Sequence, residues 1–255
     1  MYDVMVIGGG VIGGAVLREL SKYRLKVCLV ERESDVAMGA SKANSGIVHA
    51  GFDAAEGSLK AKFNVSGNEM MEEYAEELGV KFSRIGSLVL AFSEEDERTL
   101  QTLRARGEKN GVKGLRVIGQ SELREMEPNV SRAAIGALYA PTGGIVCPYE
   151  LTIAAIGNAM DNGAELYTDF DVTKIERGDG TFTVFDAEGR ALRAKLLINC
   201  AGLGAEKIAR LCGDTSIHIG ARRGEYILLD KESAGAARHT LFMTPTAKGK
   251  GILVS

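Results

Sequence analysis

Several features that would indicate other classes of protein are absent from this sequence. The 255 residues include no tryptophan, only three histidines, and four cysteines that lie far apart with no C-x-x-C pair. Without such pairs the sequence indicates no disulfide framework, zinc site or redox-active dithiol, so we expect no bound metal and a reducing, cytoplasmic location. We interpret Cys28 and Cys200 as small apolar residues of buried strands.

Long hydrophobic runs and one-sided charge are also missing. No apolar stretch approaches the roughly 18 residues of a membrane helix, and the N-terminus enters a strand at once, which argues against a signal peptide. Lys and Arg number 31 against 34 Asp and Glu, and no dense basic stripe occurs. The sequence therefore predicts a globular protein with neither a membrane span nor a nucleic-acid partner.

Glycine, by contrast, is abundant, with 32 residues. Near the N-terminus a short apolar strand, residues 4–7, runs into Gly8-x-Gly10-x-x-Gly13, and an amphipathic segment follows. A second apolar run, residues 27–30, ends at Glu31. Strand, glycines, helix, strand and acid in this order are typical of the βαβ unit that binds a dinucleotide.

Each position of this motif has a physical reason. Gly8 allows a sharp turn off the strand, Gly10 lets the backbone approach a pyrophosphate, and Gly13 lets helix and strand pack closely. The N-terminus of the helix carries free N–H groups and the positive end of the helix dipole, which suit phosphate. Glu31 is expected to accept hydrogen bonds from a ribose hydroxyl. One helix face is expected to be apolar, with Ile12, Val16, Leu17 and Leu20.

The middle of the chain alternates in character. A long polar loop, residues 32–57, precedes a helix over 58–78 that ends at Gly79, and loops of this length tend to be functional. Apolar residues recur along that helix at helical spacing: Leu59, Phe63, Met70, Tyr74 and Leu78. Further elements are predicted as strands over 80–85 and 87–92, an exposed charged helix from a Ser93 cap to about 111, a short helix over 121–127 and a strand over 134–140.

The last third of the chain repeats the order of strand, glycine turn and helix that is found at the N-terminus. Pro148 suits the first turn of a helix over 149–162, and a hairpin is predicted over 171–177 and 181–186 around the turn 178–180. A buried strand over 194–200 then runs into Asn199-Cys200-Ala201-Gly202-Leu203-Gly204, and a helix begins near Ala205. Two such glycine turns are predicted to bracket one nucleotide at the carboxyl ends of neighbouring strands. Final strands are predicted over 217–229 and 251–254, and we expect the chain to be truncated.

Five blocks of this sequence resemble a known family. They are Gly39-Ala40-Ser41-Lys42-Ala43-Asn44-Ser45-Gly46-Ile47-Val48-His49-Ala50-Gly51, Ser58-Leu59-Lys60-Ala61-Lys62, Gly143-Gly144-Ile145-Val146, the turn of residues 199–204, and Arg222-Arg223-Gly224-Glu225-Tyr226. The chain resembles, over nearly its whole length, the FAD-dependent oxidoreductases related to D-amino-acid oxidase (the DAO family). The blocks look like its branch with L-2-hydroxyglutarate dehydrogenase and glycerol-3-phosphate dehydrogenase. The resemblance implies FAD, not NAD, as the dinucleotide.

The resemblance also implies which positions serve the cofactor and the substrate. The implied cofactor-binding residues are Gly8, Gly10, Val11, Ile12, Gly13, Glu31, Arg32, Ser41, Asn44, Ser45, Gly46, Val172, Ala201 and Gly202. His49 is the candidate catalytic base, because a neutral imidazole can remove the hydroxyl proton when hydride leaves the carbinol carbon. Arg223 is the candidate anion-binding residue, because guanidinium binds carboxylate or phosphate in bidentate fashion. Arg222, Lys248 and Lys250 are weaker candidates.

These inferences define an α/β fold: a Rossmann-like FAD-binding domain, similar to that of glutathione reductase, with an inserted mixed α+β substrate domain. The predicted FAD-binding segments are residues 1–80 and 148–213, and the substrate-domain segments are 81–147 and 214–255. The expected reaction is FAD-dependent dehydrogenation of a secondary alcohol in a small anionic substrate, such as glycerol 3-phosphate or L-2-hydroxyglutarate.

Two alternatives stay open from the sequence. One is an amine or amino-acid oxidase of the same fold, and the other is a truncated FAD-binding module without turnover. The expected partners are the small hydroxy substrate and an electron acceptor that the sequence does not identify. A C-terminal continuation is expected to complete the site.

Overall fold

The computed structural model describes residues 1–233, 235–245 and 252–255. Within these ranges the chain forms two compact units. Unit 1 comprises Met1–Asn44, Leu78–Val80 and Cys147–Tyr226. Unit 2 comprises the described residues of Ser45–Glu77, Lys81–Val146 and Ile227–Ser255. Residues 45–77 thus pack within unit 2, whereas the predicted domain boundaries place them with the FAD-binding segment; those boundaries stay predictions.

The helices and strands alternate along most of the chain. The strands are β1 (Tyr2–Ile7), β2 (Val27–Val30), β3 (Ile47–Val48), β4 (Phe82–Ser83), β5 (Ser87–Ala91), β6 (Arg116–Gly119), β7 (Gly136–Ala140), β8 (Gly144–Val146), β9 (Glu165–Tyr167), β10 (Lys174–Gly178), β11 (Thr181–Phe185), β12 (Ala191–Asn199), β13 (Thr240–Met243) and β14 (Leu253–Val254). The α-helices are α1 (Val11–Ser21), α2 (Leu59–Glu77), α3 (Glu94–Lys109), α4 (Gln120–Met126), α5 (Pro148–Asp161) and α6 (Ala205–Leu211). Short 3-10 turns cover Gly202–Gly204 and Lys231–Ser233.

Unit 1 is built around a six-stranded sheet in the order β10-β11-β12-β1-β2-β9. Strands β12, β1, β2 and β9 are parallel, and β10 and β11 extend the sheet as an antiparallel hairpin. Because side chains alternate across a strand, Val4 and Val6 lie in one core with Leu17 of α1 and Ile156 of α5, while Met5 lies in a second core on the other face. The predicted βαβ unit is confirmed.

Unit 2 contains a five-stranded sheet in the order β14-β13-β5-β7-β6 and a small sheet in the order β3-β8-β4. In the main core of unit 2, Leu100 and Leu103 of α3 pack against the five-stranded sheet. The predicted cap of α3 is confirmed, since the Ser93 hydroxyl accepts the N–H of Asp96 and the Asp96 carboxylate accepts the N–H of Phe92. The helix is not wholly exposed, because its Leu100 face is buried.

The structure corrects three expectations about strands. Residues 217–229 form no strand: they have no regular structure, and Leu228 is 96% exposed. A strand needs a hydrogen-bonded neighbour, and this segment has none among the described strand pairings. The strand predicted over 80–85 is reduced to β4, and β12 is largely exposed, with only Ala194 buried.

Two helix faces also differ from their predictions. Ile12 is 64% exposed because it lies in the first turn of α1, beyond the ends of the strands against which Leu17 packs. The helix predicted over 58–78 exists as α2, but its apolar residues Leu59, Phe63 and Met70 are exposed. The buried residues of α2 are Ala61, Asn68 and Ala75.

Candidate functional site

The glycine turn after β1 is packed too tightly for side chains. Gly8 has a φ of +110°, a conformation that favours glycine, and a Cβ there would lie 2.5 Å from the carbonyl oxygen of Cys200. A Cβ on Gly13 would overlap the carbonyl oxygen of Gly8 itself. Two of the three motif glycines are therefore required by the packing of the turn, and the helix N-terminus at Val11 is held directly beyond the strand.

Glu31 closes this turn from the end of β2. Its Oε2 accepts the N–H of Gly9 at 2.6 Å, and its Oε1 accepts the N–H of Glu33 at 3.0 Å. Because each carboxylate oxygen can accept more than one hydrogen bond, these contacts leave acceptor capacity for hydroxyl groups. The position and residual capacity of Glu31 fit the ribose-binding role that the sequence predicts.

Ser41 lies over the N-terminus of α1. Its hydroxyl accepts the N–H of Val11 at 2.9 Å, and a Cβ on Gly10 would come within 3.2 Å of the same hydroxyl oxygen. Asn44 donates its amide to the carbonyl oxygens of Ala40 and Ser41, at 2.9 and 3.1 Å. Asn44 therefore shapes the loop that carries Ser41, in addition to any role toward a ligand.

The second glycine turn lies against the first at the same edge of the sheet. The N–H of Cys200 donates to the carbonyl oxygen of Ile7 at 2.8 Å, and Gly202 has a φ of +54°. The segment before Val172 is also tied to this edge, because the N–H of Phe170 donates to the carbonyl oxygen of Glu31 at 2.8 Å. Val172 itself is buried, and its role toward a ligand stays a prediction.

The structure thus brings most of the predicted cofactor residues of unit 1 together at the carboxyl ends of β12, β1 and β2. Glycine backbone with no room for side chains, a helix N-terminus and a fixed carboxylate suit the pyrophosphate and ribose of a dinucleotide. Arg32 lies beside this edge with an exposed side chain that pairs with Glu33 at 2.9 Å. Ser45 and Gly46 belong to unit 2, where the carbonyl oxygen of Gly46 accepts the N–H of Val146 at 2.9 Å.

Unit 2 places His49 on the wall of a cavity. The imidazole stacks on the Phe242 ring, with centroids 5.7 Å apart and planes 27° apart. The lining residues of the cavity are His49, Phe52, Asp53, Val89, Phe242, Met243 and Pro245. The walls are mostly apolar, and Asp53 is the acidic residue among them.

The sequence analysis did not identify Phe242 or Asp53 as functional candidates. Phe242 lies on β13, which pairs in parallel with β5 and so brings Phe242 opposite Val89. No local motif marks a contact between residues that are so far apart in the chain. Asp53 is close to His49 in sequence, but an isolated acid in a long loop carries no signal of its own.

Arg223, the candidate anion-binding residue, is not among the residues that line the His49 cavity. Arg223 is in the irregular segment of unit 1, with a side chain that is 87% exposed and 3.6 Å from the carboxylate of Glu225. Lys248 and Lys250 lie outside the described residues. The role of Arg223 stays a prediction.

The cysteines and acids give no indication of redox or metal chemistry of their own. Burial raises the pKa of Cys28 to about 12 and raises that of Cys200, so both thiols stay protonated at neutral pH. Among the described residues, no group of three or more His, Cys, Asp or Glu side chains is placed to hold a metal ion. None of the described helices is long and apolar enough to cross a bilayer.

A mainly parallel sheet with glycine turns and an acid at one edge defines a dinucleotide-binding α/β protein. The family model described as FAD dependent oxidoreductase (DAO) matches residues 3–254. The chain therefore belongs to the DAO family of FAD-dependent oxidoreductases. This match confirms the predicted family, fold class and cofactor.

Individual relatives agree with this placement. A glycerol 3-phosphate dehydrogenase of Caloramator mitchellensis is 44% identical over the whole chain, which covers 53% of that relative. A mitochondrial L-2-hydroxyglutarate dehydrogenase of Caenorhabditis elegans is 34% identical over 96% of the chain and 58% of the relative. The structure of the L-alpha-glycerophosphate oxidase of Mycoplasma pneumoniae with FAD bound superposes with a TM-score of 0.88 at 30% identity, covering 100% of this chain and 68% of the other. The chain thus spans about half to two-thirds of these relatives.

Proposed function

We propose that the protein oxidises the secondary alcohol of a small anionic substrate. Glycerol 3-phosphate is the first candidate. L-2-Hydroxyglutarate is the second candidate. Support comes from the 44% identity to a glycerol 3-phosphate dehydrogenase over the whole chain. The structural observation that carries the proposal is the His49 imidazole on the wall of a mostly apolar cavity. We further propose a cytoplasmic location, because no cysteine pair indicates an oxidising compartment.

The residues of unit 1 would hold the cofactor. The backbone of Gly8, Gly10 and Gly13 and the first turn of α1 would receive the pyrophosphate, and Glu31 would accept ribose hydroxyl hydrogens. Ser41 would add a hydroxyl at the same helix N-terminus, where it already accepts the N–H of Val11. Bound FAD supplies a two-electron acceptor for the hydride of the carbinol carbon.

Two candidate residues would manage the proton and the charge: His49 of unit 2 and Arg223 of unit 1. The neutral imidazole of His49 takes the hydroxyl proton as the C–H bond breaks, so the alcohol becomes a carbonyl compound and the proton stays on the imidazole. Phe242 and Val89 would give the surroundings of this step an apolar wall. Arg223 pairs with the phosphate or carboxylate of the substrate. An electron acceptor of unidentified class would reoxidise the cofactor.

The proposal is tested by substrate reduction of the bound flavin under anaerobic conditions, in the FAD-loaded full-length protein. His49→Ala is expected to slow reduction by glycerol 3-phosphate at least about tenfold while FAD stays bound. His218→Ala is the matched control, because His218 is exposed in unit 1 and carries no proposed role. Reduction by amino acids but by neither glycerol 3-phosphate nor L-2-hydroxyglutarate, or an unchanged rate in His49→Ala, would overturn the proposal.

A further inference from the structure

Asn68 is a buried polar residue in a helix whose other buried residues are both alanine. Its side chain is on α2 and only 4% of the residue is exposed. Burying an amide is unfavourable unless its hydrogen bonds are replaced. The hydrogen bonds of this amide therefore decide whether its burial is favourable.

Both hydrogens of the Asn68 amide are donated to backbone carbonyls. Its Nδ2 lies 3.1 Å from the carbonyl oxygen of His49 and 2.8 Å from that of Thr142. Its Oδ1 accepts a hydrogen bond from Nη1 of Arg84 at 3.0 Å. Because guanidinium can only donate, this contact fixes which end of the amide faces Arg84 and which faces the carbonyls.

Arg84 is itself held in place. Its Nη1 also donates to the carbonyl oxygen of Thr142 at 2.8 Å, and its Nε lies 3.4 Å from the Glu72 carboxylate. One turn before Asn68 on the same helix, Asn64 donates its Nδ2 to the carbonyl oxygen of His49 at 2.9 Å. The carbonyl of His49 thus accepts two amide donors from α2, which occupies both of its lone pairs.

A carbonyl held by two donors restrains the peptide plane that follows His49 and, with it, the Cα–Cβ bond from which the imidazole extends. The imidazole then lies on Phe242 at the cavity wall. A catalytic group displaced by about 1 Å can lose about 100-fold in rate. We infer that Asn68, together with Asn64, is a positioning residue for His49 that acts through the His49 backbone carbonyl. The inference rests on the proposed function for its effect on rate.

The first variant is Asn68→Asp, which keeps the shape and the acceptor for Arg84 but lacks both donated hydrogens. Because a buried carboxylate beside two carbonyl oxygens is unfavourable, Asn64→Ala serves as a second, milder variant at a half-buried position. The matched control is Asn110→Asp. Asn110 also donates its amide to two backbone carbonyls, those of Gly51 and Ala54 in the loop that follows His49, at 3.0 and 2.9 Å.

The primary readout does not depend on turnover. In NMR spectra of the FAD-loaded protein labelled at the histidine rings, these 255 residues contribute the signals of His49, His218 and His239. The His49 signals are assigned by their loss in His49→Ala. Both positioning variants are expected to move the His49 ring signals, because the ring-current shift from Phe242 changes, and to leave the other two in place. Unmoved His49 signals in folded Asn64→Ala, or an equal movement in Asn110→Asp, would overturn the inference.

The kinetic readout separates this inference from the proposed function. Asn68→Asp is expected to slow flavin reduction about tenfold, with KM changed less than about threefold. In a His49→Ala background the same change is expected to add nothing, because both act through one side chain. A full additional loss there would contradict the positioning role. If His49→Ala alone had no effect, the proposed function would fail while the NMR test would still decide the inference.

Discussion

The two glycine turns of unit 1 lie at the same sheet edge but need their glycines for different reasons. The turn after β1 follows a buried strand, and a Cβ at Gly8 or Gly13 would collide with backbone atoms. The turn after β12 follows a largely exposed strand, and a Cβ at Gly202 would meet nothing within 4 Å. Gly202 is required only by its φ of +54°.

This difference indicates what each motif contributes. In the first turn, the backbones of the strand, the helix and the neighbouring turn are in close contact. Its sequence therefore tolerates little change. The second turn is held by local contacts: Oδ1 of Asn199 accepts the N–H of Ala201 at 3.3 Å and its Nδ2 donates to the carbonyl oxygen of Ala205 at 2.8 Å. We expect substitutions in the first turn to affect the whole unit and those in the second to remain local.

The largest effect is expected from Gly13→Ala. The added Cβ overlaps the Gly8 carbonyl oxygen, and neither backbone can yield without opening the turn, so the free energy of unfolding should fall by at least about 3 kcal/mol. Urea denaturation of the protein measures this loss. Gly39→Ala is the control, because a Cβ there meets no atom within 4 Å. Equal stability of the two variants would remove the distinction between the turns.

A smaller effect is expected from Gly202→Ala. The space is open, so only the left-handed backbone opposes a side chain, and the loss in free energy of unfolding should be about 1 kcal/mol. Gly204→Ala is the matched control within the same turn, because its φ is −82° and its nearest contact is an ordinary 3.7 Å. A loss for Gly202→Ala as large as that for Gly13→Ala would contradict the comparison.

The smallest effect on stability is expected at the opposite edge of the same sheet, where the strands begin. Side-chain hydrogen bonds, and no glycine turn, connect the strands there. Hydrogen bonds from Tyr2, at 2.7 Å, and from Tyr167, at 2.8 Å, lower the pKa of Glu165 below its usual 4.5. A lowered pKa in the folded state stabilises the protein above the unfolded pKa, and this stabilisation is lost as pH falls through the folded pKa.

Glu165→Gln should therefore reduce the melting temperature slightly at pH 7, and the gap to the native protein should close below about pH 4. Thermal melts at a series of pH values provide the measurement. Glu19→Gln is the control, since Glu19 pairs with Lys22 on the exposed surface of α1. A gap that stays constant down to acid pH would show that the ionised form of Glu165 contributes nothing.

The sequence predicted local elements well where a single physical cause decides them. The glycine motif, the Ser93 cap and the left-handed Gly79 each follow from backbone geometry, and all are present. Burial was harder to predict, because segments far away in the sequence decide whether Leu59 of α2 or Leu228 is covered. The strand predicted over 217–229 failed for the same reason, since an apolar run does not specify a pairing partner.

The residues of the candidate site also divide into those that the sequence could predict and those that it could not. Glu31 and Ser41 could be assigned from their places in a motif, and the structure puts both at the glycine turn. Phe242 and Asn68 could not, because their contacts with His49 arise from strand pairing and helix packing between segments far apart in sequence. The role of His49 itself stays a prediction that rests on the family resemblance and the cavity.

The most direct test of the central claim is the FAD affinity of Gly10→Ala. Its Cβ would touch only the Ser41 hydroxyl, at 3.2 Å, so the apoprotein should keep its fold, whereas a methyl group at the helix N-terminus would obstruct the pyrophosphate. Calorimetric titration with FAD should show binding at least about tenfold weaker than in Gly39→Ala, with the melting temperatures of the two apoproteins within about 2 °C. Equal FAD affinities would contradict the claim that this turn holds the cofactor.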